Sequence, residues 1–278
     1  MTNLMSMVGE TQFLDRPEGR VAYEMWGSNG PLMICAPGMG DLRSVYRFMA
    51  PPLVEAGYHV VLMDLRGHGD SDASFTQYDD VAVAHDLLAL TRALGGPAIL
   101  VGNSMSAGAA VFAAAEASEL IAGLVLIGPF VRNVPVGRFA QKAFRLALQR
   151  PWGRAAWVSY YRRLYPGQCP DDLATHQAAI RASLGRPAHW RAFVATTHTS
   201  HSPAEHRLTS VKVPTLVVMG TLDPDFPNPS VEAHWIAEQV SGRVLMVDHA
   251  GHYPQAEYPD LVASAVLSFL KEVGLATR

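Results

Sequence analysis

The chain has 278 residues, 49% of them hydrophobic and 17% charged, with a formal net charge of −3. That length and apolar content can fill one large α/β core with an insertion, or two small domains. Lysine and arginine form no stripe that would attract a nucleic acid, and no apolar run reaches the ~18 residues of a membrane span.

The first residues, "MTNLMSMVGE", lack both the basic and the apolar region of a signal peptide. "TQFLD" and "RVAYEMWG", parted by the turn signal "RPEG", predict an antiparallel hairpin. Apolar runs without strict alternation follow at Pro31–Gly38, His59–Gly67, Ala98–Gly102, Leu124–Gly128, Thr215–Gly220 and Arg243–Asp248. Such runs read as strands buried on both faces of a parallel sheet. Helical patterns lie between them at Ser44–Ala56, Tyr78–Leu94, Met105–Ala117, Ser230–Val240 and Pro259–Val273. From Val131 to about Leu208 no strand pattern appears. Amphipathic stretches rich in Trp, Tyr, Arg and His are punctuated there at Pro135–Gly137, Pro151–Gly153, Pro166–Gly167, Pro170 and Gly185–Pro187. We read residues 131–208 as a helical cap of about four helices over a core of residues 1–130 and 209–278, because ligands bind where loops leave the C-terminal ends of parallel strands. Cys35 lies in an apolar run and Cys169 in a polar turn, which fits a reducing cytoplasm; a single disulfide is the alternative.

One stretch does not read as ordinary core. In "AILVGNSMSAGAAV" a strand ends at Gly102 and a helix follows Met105, with Ser104 on the turn and small residues at Gly102 and Ser106. A Gly-x-Ser-x-small turn between strand and helix lifts a serine hydroxyl above the sheet edge, where it can act as a nucleophile. The competing reading is an ordinary helix N-cap. A hydroxyl also needs a base, and the base an orienter. Asp223 follows one late strand in "VVMGTLDPDFP", with Asp225 as the alternative acid, and His252 follows the next in "VLMVDHAGHYPQAEYP".

Taken with "APGMGDLR" and "DLRGHGDSD", these motifs resemble the α/β-hydrolase superfamily, in its helical-cap branch, over nearly the whole chain. The resemblance implies an α/β fold with a mostly parallel eight-stranded sheet, flanked by helices, and a cap inserted after the sixth strand. It implies Ser104 as nucleophile, Asp223 as acid and His252 as general base. The oxyanion hole would come from the backbone N–H groups of Met39 and Met105, although Pro37-Gly38 stands where many relatives have His-Gly. The last small position of the turn is Ser106 rather than the usual Gly.

Of the other titratable residues, Asp64 and Arg66 read as braces of a glycine turn, His68 as capping or packing, and Asp248 as structural. A zinc site drawn from His249, His252, His198, His201 and His206 lacks convergent ligands, so we expect no metal and no cofactor. Trp152, Trp157, Tyr160, Tyr161, Tyr165, Trp190 and Phe193 are cap packing by default. Gly38, Trp152, Trp157, Trp190 and Tyr253 are the candidate lining of an apolar pocket.

The expected activity is cleavage of a small or medium apolar carboxylic ester or lactone through an acyl-enzyme. Serine at the turn argues against epoxide hydrolases and haloalkane dehalogenases, which carry a carboxylate there. A carbon–carbon hydrolase of ring-fission diketone acids is the rival, with Arg181, Arg186 or Arg191 holding a substrate carboxylate. Peroxide-dependent and thioesterase chemistries use the same groups. A small-molecule sensor with an intact triad is the non-enzymatic alternative. The expected partner is a small molecule, with no nucleic acid or membrane, for a monomer or homodimer.

Overall fold

A computed structural model describes residues 9–133, 143–144, 146–149 and 151–277. Eight strands form one sheet: β1 (Gln12–Arg16), β2 (Gly19–Trp26), β3 (Leu32–Ala36), β4 (His59–Met63), β5 (Ala98–Asn103), β6 (Ile121–Ile127), β7 (Thr215–Gly220) and β8 (Arg243–Val247). Their order is β1-β2-β4-β3-β5-β6-β7-β8. The N-terminal hairpin pairs antiparallel, β2 joins β4 antiparallel, and every later pair is parallel.

The unbroken apolar runs have a direct physical reason. Along β3, Leu32, Ile34 and Ala36 enter one core cluster while Met33 and Cys35 enter the other. The first cluster is closed by α2 (Asp80–Ala93), α3 (Met105–Glu116) and a helix at Pro229–Gln239. The second is closed by α1 (Ala50–Glu55) and a helix at Pro259–Glu272. Strands covered on both faces have no solvent side on which to place polar residues. The last strand, β8, departs from the expectation: it is an edge, and only Val247 in it is buried.

Between β6 and β7 the described residues hold four helices, Gly153–Arg163, Leu173–Gly185, Pro187–Thr196 and Ser202–Glu205. Their Trp157, Tyr161, Leu164, Tyr165, Leu184 and Phe193 merge with the second cluster. The punctuation expected at Pro135–Gly137, and the first eight residues, lie outside the described residues. No described helix is long and apolar enough to cross a membrane.

Two details differ from the sequence reading. The helix expected at Ser44–Ala56 is instead a 3-10 turn, Arg43–Tyr46, followed by α1. Pro51 and Pro52 have no N–H and are compatible only with a helix's first turn, so the chain must restart there. A short helix at Pro254–Glu257 was not anticipated. Both cysteines are free thiols, Cys35 buried and Cys169 half-buried, so the alternative disulfide is not formed.

The loop after β4 is braced by charge. Arg66 makes a bidentate pair with Asp86 of α2, both bonds 2.7 Å, and Arg16 adds a third contact at 2.9 Å. Asp86 has no exposed surface. Asp86→Ala therefore leaves a guanidinium buried without its partner. The expected loss is about 3–5 kcal/mol of unfolding free energy, read from the denaturant midpoint.

Candidate active site

The turn from β5 to α3 is as tight as the small residues require. A Cβ on Gly102 would stand 2.4 Å from the Ser106 carbonyl oxygen. Strand and helix can meet this closely only if the residue between them turns sharply, and Ser104 adopts φ 57° and ψ −123°. Such a conformation costs a non-glycine residue about 1–3 kcal/mol. Ser104 occupies the N-cap position of α3, yet its side chain makes no capping hydrogen bond. The hydroxyl lines a cavity of about 420 Å³ instead. Ser106, in place of the usual glycine, donates its hydroxyl to the Pro37 carbonyl at 2.5 Å and so ties α3 to the loop after β3.

The acid and the imidazole arrive from the neighbouring parallel strands. Asp223 lies just past β7, and His252 lies in the loop after β8. His252 Nδ1 is 2.8 Å from Asp223 Oδ2, and both side chains are buried. Asp223 Oδ1 accepts the Asp225 amide at 3.0 Å. Asp225 Oδ2 is 3.8 Å from His252 Nδ1, and the other oxygen of that carboxylate accepts the Tyr160 hydroxyl. Of the two candidate acids, Asp223 is the one hydrogen-bonded to the imidazole. Gly128 makes room for the ring, since a Cβ there would be 3.0 Å from His252 Nδ1.

Burial alone would depress the His252 pKa. The charge and hydrogen bond of Asp223, with Asp225 and Asp41 farther off, overcome it and push the pKa up to about 9. Ser104 and His252 line the same cavity, with no hydrogen bond joining Ser104 Oγ to the ring. Such contacts commonly tighten only when substrate binds.

Met105 opens α3, so its amide has no intrahelical partner. Met39 follows Gly38, where a Cβ would stand 2.9 Å from Ser104 Cβ. Met105 thus follows the serine directly, and Met39 lines the same cavity as it does.

Several residues read as packing prove to hold the Met39 loop. His68 donates from Nδ1 to the Arg66 carbonyl at 3.0 Å and accepts the Gly40 amide on Nε2, also at 3.0 Å. That tautomer follows from its partners, and burial pushes the His68 pKa down to about 4, which keeps the ring neutral. Trp157 donates to the Gly40 carbonyl at 3.1 Å. Buried Asp41 contacts His176 Nε2 at 2.7 Å and accepts the Tyr161 hydroxyl at 3.0 Å. Asn103 donates to the carbonyls of Ile127 and His252. No local pattern in the sequence marks these partners, because each contact joins residues far apart in the chain.

The expected pocket lining needs correcting. Trp157 and Tyr253 line the cavity, but Trp152 is half exposed and does not line it. Trp190 packs on Phe193 and borders a neighbouring cleft, and Gly38 lies against Ser104 but does not line the cavity. Arg181, Arg186 and Arg191 do not line it either. His198 and His201 do, while His206 does not and His249 and Asp248 are exposed. Among the described residues the one group with metal-ligand spacing is Asp223, Asp225 and His252, and each of these already has a hydrogen-bond partner in the protein.

The loop contacts carry a testable consequence. His68→Phe removes the acceptor for the Gly40 amide and is expected to lower kcat by about tenfold with a smaller change in KM, if the loop it holds serves the reacting centre.

Comparisons with known proteins agree with the architecture. The chain is 26% identical to epoxide hydrolase A of Mycobacterium tuberculosis, over 89% of this chain and 92% of that one. It is equally close, at 26%, to the 2-hydroxy-6-oxo-6-(2'-aminophenyl)hexa-2,4-dienoic acid hydrolase of Metapseudomonas resinovorans, over 97% and 90% of the two chains. Among solved structures, a bromoperoxidase from Bacillus anthracis superposes with a TM-score of 0.80 at 19% identity, covering 94% of this chain and all of that one. The family model described as the alpha/beta hydrolase family matches residues 33–265, and with this sheet order and this serine turn the chain belongs to that family.

Proposed function

We propose that this hydrolase is a serine hydrolase that cleaves a carboxylic ester or lactone of small or medium size through an acyl-enzyme on Ser104. The observation that carries the reading is a strained, uncapped serine that shares one cavity with a buried imidazole bonded to Asp223 at 2.8 Å. The helices between β6 and β7 act as the cap, supplying Trp157 and Tyr160 to the cavity wall.

In this mechanism His252 takes the Ser104 proton as Oγ attacks the carbonyl, and Asp223 holds the ring's tautomer and stabilises the imidazolium. The amides of Met105 and Met39 receive the charge that develops on the carbonyl oxygen, where one such donor contributes about 3 kcal/mol. His252 returns the proton to the leaving alcohol. It then activates a water that clears the acyl group. The relative named as an epoxide hydrolase does not redirect this reading, because the turn here carries a serine and no carboxylate. Nor do cap arginines reach the cavity, as the diketone-acid reading asked of Arg181, Arg186 or Arg191.

The primary test is intact-mass spectrometry after incubation with a fluorophosphonate. One adduct is expected on the unmodified protein and none on Ser104→Ala, whose melting temperature should be unchanged. An adduct that persists on Ser104→Ala would overturn the assignment.

The two acids separate kinetically. Asp223→Asn is expected to lower kcat about 10³–10⁴-fold by releasing the wrong tautomer. Asp225→Asn should cost far less, because its carboxylate is not bonded to the ring.

With His252 raised to about 9 in the resting protein, the ring is protonated at neutral pH and must lose that proton to act as base. Accordingly kcat/KM should climb with pH toward about 9 and then level. Asp225→Asn removes a charge that favours the imidazolium, so it should move that midpoint to lower pH. A midpoint that stays in place would show that Asp225 does not act on the ring.

A further inference from the structure

The cavity above Ser104 holds a second buried pair of carboxyl and imidazole. Asp80, the first residue of α2, has no exposed surface, and its Oδ2 stands 2.6 Å from His201 Nδ1. Thr199 donates its hydroxyl to Asp80 Oδ1 at 2.9 Å and accepts the Asp80 amide at 3.1 Å. The His201 amide donates to Asn133 Oδ1 at 3.0 Å. Space for the carboxyl comes from Gly108 on α3, where a Cβ would lie 2.9 Å from Asp80 Oδ2. The His201 ring rests on Phe130, with centroids 5.5 Å apart, and Phe130 in turn lies 5.9 Å from the His252 ring. One phenylalanine therefore separates the two imidazoles.

Proton counting decides what His201 offers to the cavity. Its Nδ1 is taken by Asp80, and Nε2 has no hydrogen-bond partner among the described residues, while the residue lines the cavity. Desolvation raises the buried Asp80 carboxyl above its usual range, which works against a lone carboxylate beside a ring with a bare Nε2. A net-neutral pair avoids this. Whether the shared proton sits on Asp80 or on Nδ1, Nε2 then carries a hydrogen and is a donor.

The surroundings match an acceptor of negative charge. His198, Thr197 and Thr199 line the same cavity, and among the described residues Asp225 is the sole carboxylate on its wall, held by Tyr160. Aromatic and aliphatic groups occupy the stretch between: Met39, Phe130, Trp157 and Leu164.

We propose that Asp80 and His201 form a specificity site for a carboxylate at the far end of the substrate, across Phe130 from the scissile carbonyl. The preferred substrate is then a half-ester of a dicarboxylic acid, apolar in the middle and anionic at one end. This rests on the reading of the Ser104 cavity as the substrate site.

The test is a binding measurement that does not need turnover. Ser104→Ala, which leaves an ester uncleaved, is titrated calorimetrically with monomethyl adipate and with dimethyl adipate at neutral pH. The half-ester is expected to bind on the order of tenfold tighter or more, the worth of a charge-assisted hydrogen bond. Adding His201→Phe to the same protein should bring the two affinities together, and adding His201→Leu instead should do likewise, since neither side chain carries an N–H. The readout is a ratio of two ligands on one protein, so a loosened fold that weakens both leaves the ratio intact. Equal binding by Ser104→Ala, no binding of either ester, or a preference that survives both substitutions would overturn the proposal and leave the pair as a strut between α2 and the inserted helices. Failure of the acyl-enzyme reading shows separately, as absence of the fluorophosphonate adduct on a protein that still prefers the half-ester.

Discussion

The approach of β5 to α3 at Gly102 and Ser106 is the constraint on which the site depends. Contact this close leaves Ser104 no ordinary conformation, and the positive φ is held in place from outside the turn. The Ser104 amide donates to the Ile127 carbonyl at 2.8 Å, and the Ser104 carbonyl accepts the Phe130 amide at 3.2 Å. The end of β6 thus carries strain that the turn could not sustain alone. Two consequences for chemistry follow from one geometric cause. The hydroxyl is turned away from the capping position it would otherwise fill, and the first amide of α3 is left open beside it. The alanine and glycine content of α3 belongs to the same constraint, since Met105 to Ala114 are all buried and larger side chains would push the helix off the strand.

A second framework holds the opposite wall. The loop after β3 brings no regular structure of its own, so its backbone groups need partners from elsewhere. The Gly40 peptide is held by His68 on its amide and by Trp157 on its carbonyl, from the β4 loop and the inserted helices respectively. Asp41 is engaged by His176 and Tyr161, both on inserted helices. Movement of those helices would therefore be felt at Met39. The helices between β6 and β7 do more than line the cavity, because Trp157, Tyr161 and His176 also hold the loop that faces the serine.

The sheet and the serine turn were legible because both are local. Strand-length apolar runs, a glycine two residues before a serine, and Asp223 and His252 each placed just past a strand end are patterns within a few residues. What was not legible is long-range pairing. His68 reaches Gly40 across 28 positions and Asp41 reaches His176 across 135. Nothing in the spacing of "DLRGHGDSD" distinguishes a ring that packs from one that anchors an amide. The pocket lining failed for a related reason. An aromatic residue in an inserted helix can face the cavity, as Trp157 does, or a neighbouring cleft, as Trp190 does, or solvent, as Trp152 does. The choice depends on how the helices dock on one another, which helical periodicity alone does not determine.

The contrast between His68 and His252 shows what that docking adds. The two rings are buried to almost the same degree, at 1% and 2% exposure, yet one is pushed down to about 4 and the other up to about 9. Burial acts on both in the same direction, against the charged form. The difference is the partner. His68 faces a backbone carbonyl and a backbone amide, which suit a neutral ring, whereas His252 faces the Asp223 carboxylate with Asp225 close behind. A neutral ring with a bare Nε2 can accept an amide and fix a loop. A ring stabilised as its cation can receive a proton from a hydroxyl and later release it. Two buried histidines in glycine-bordered loops are thus held in opposite protonation states by the partners that the fold brings to them.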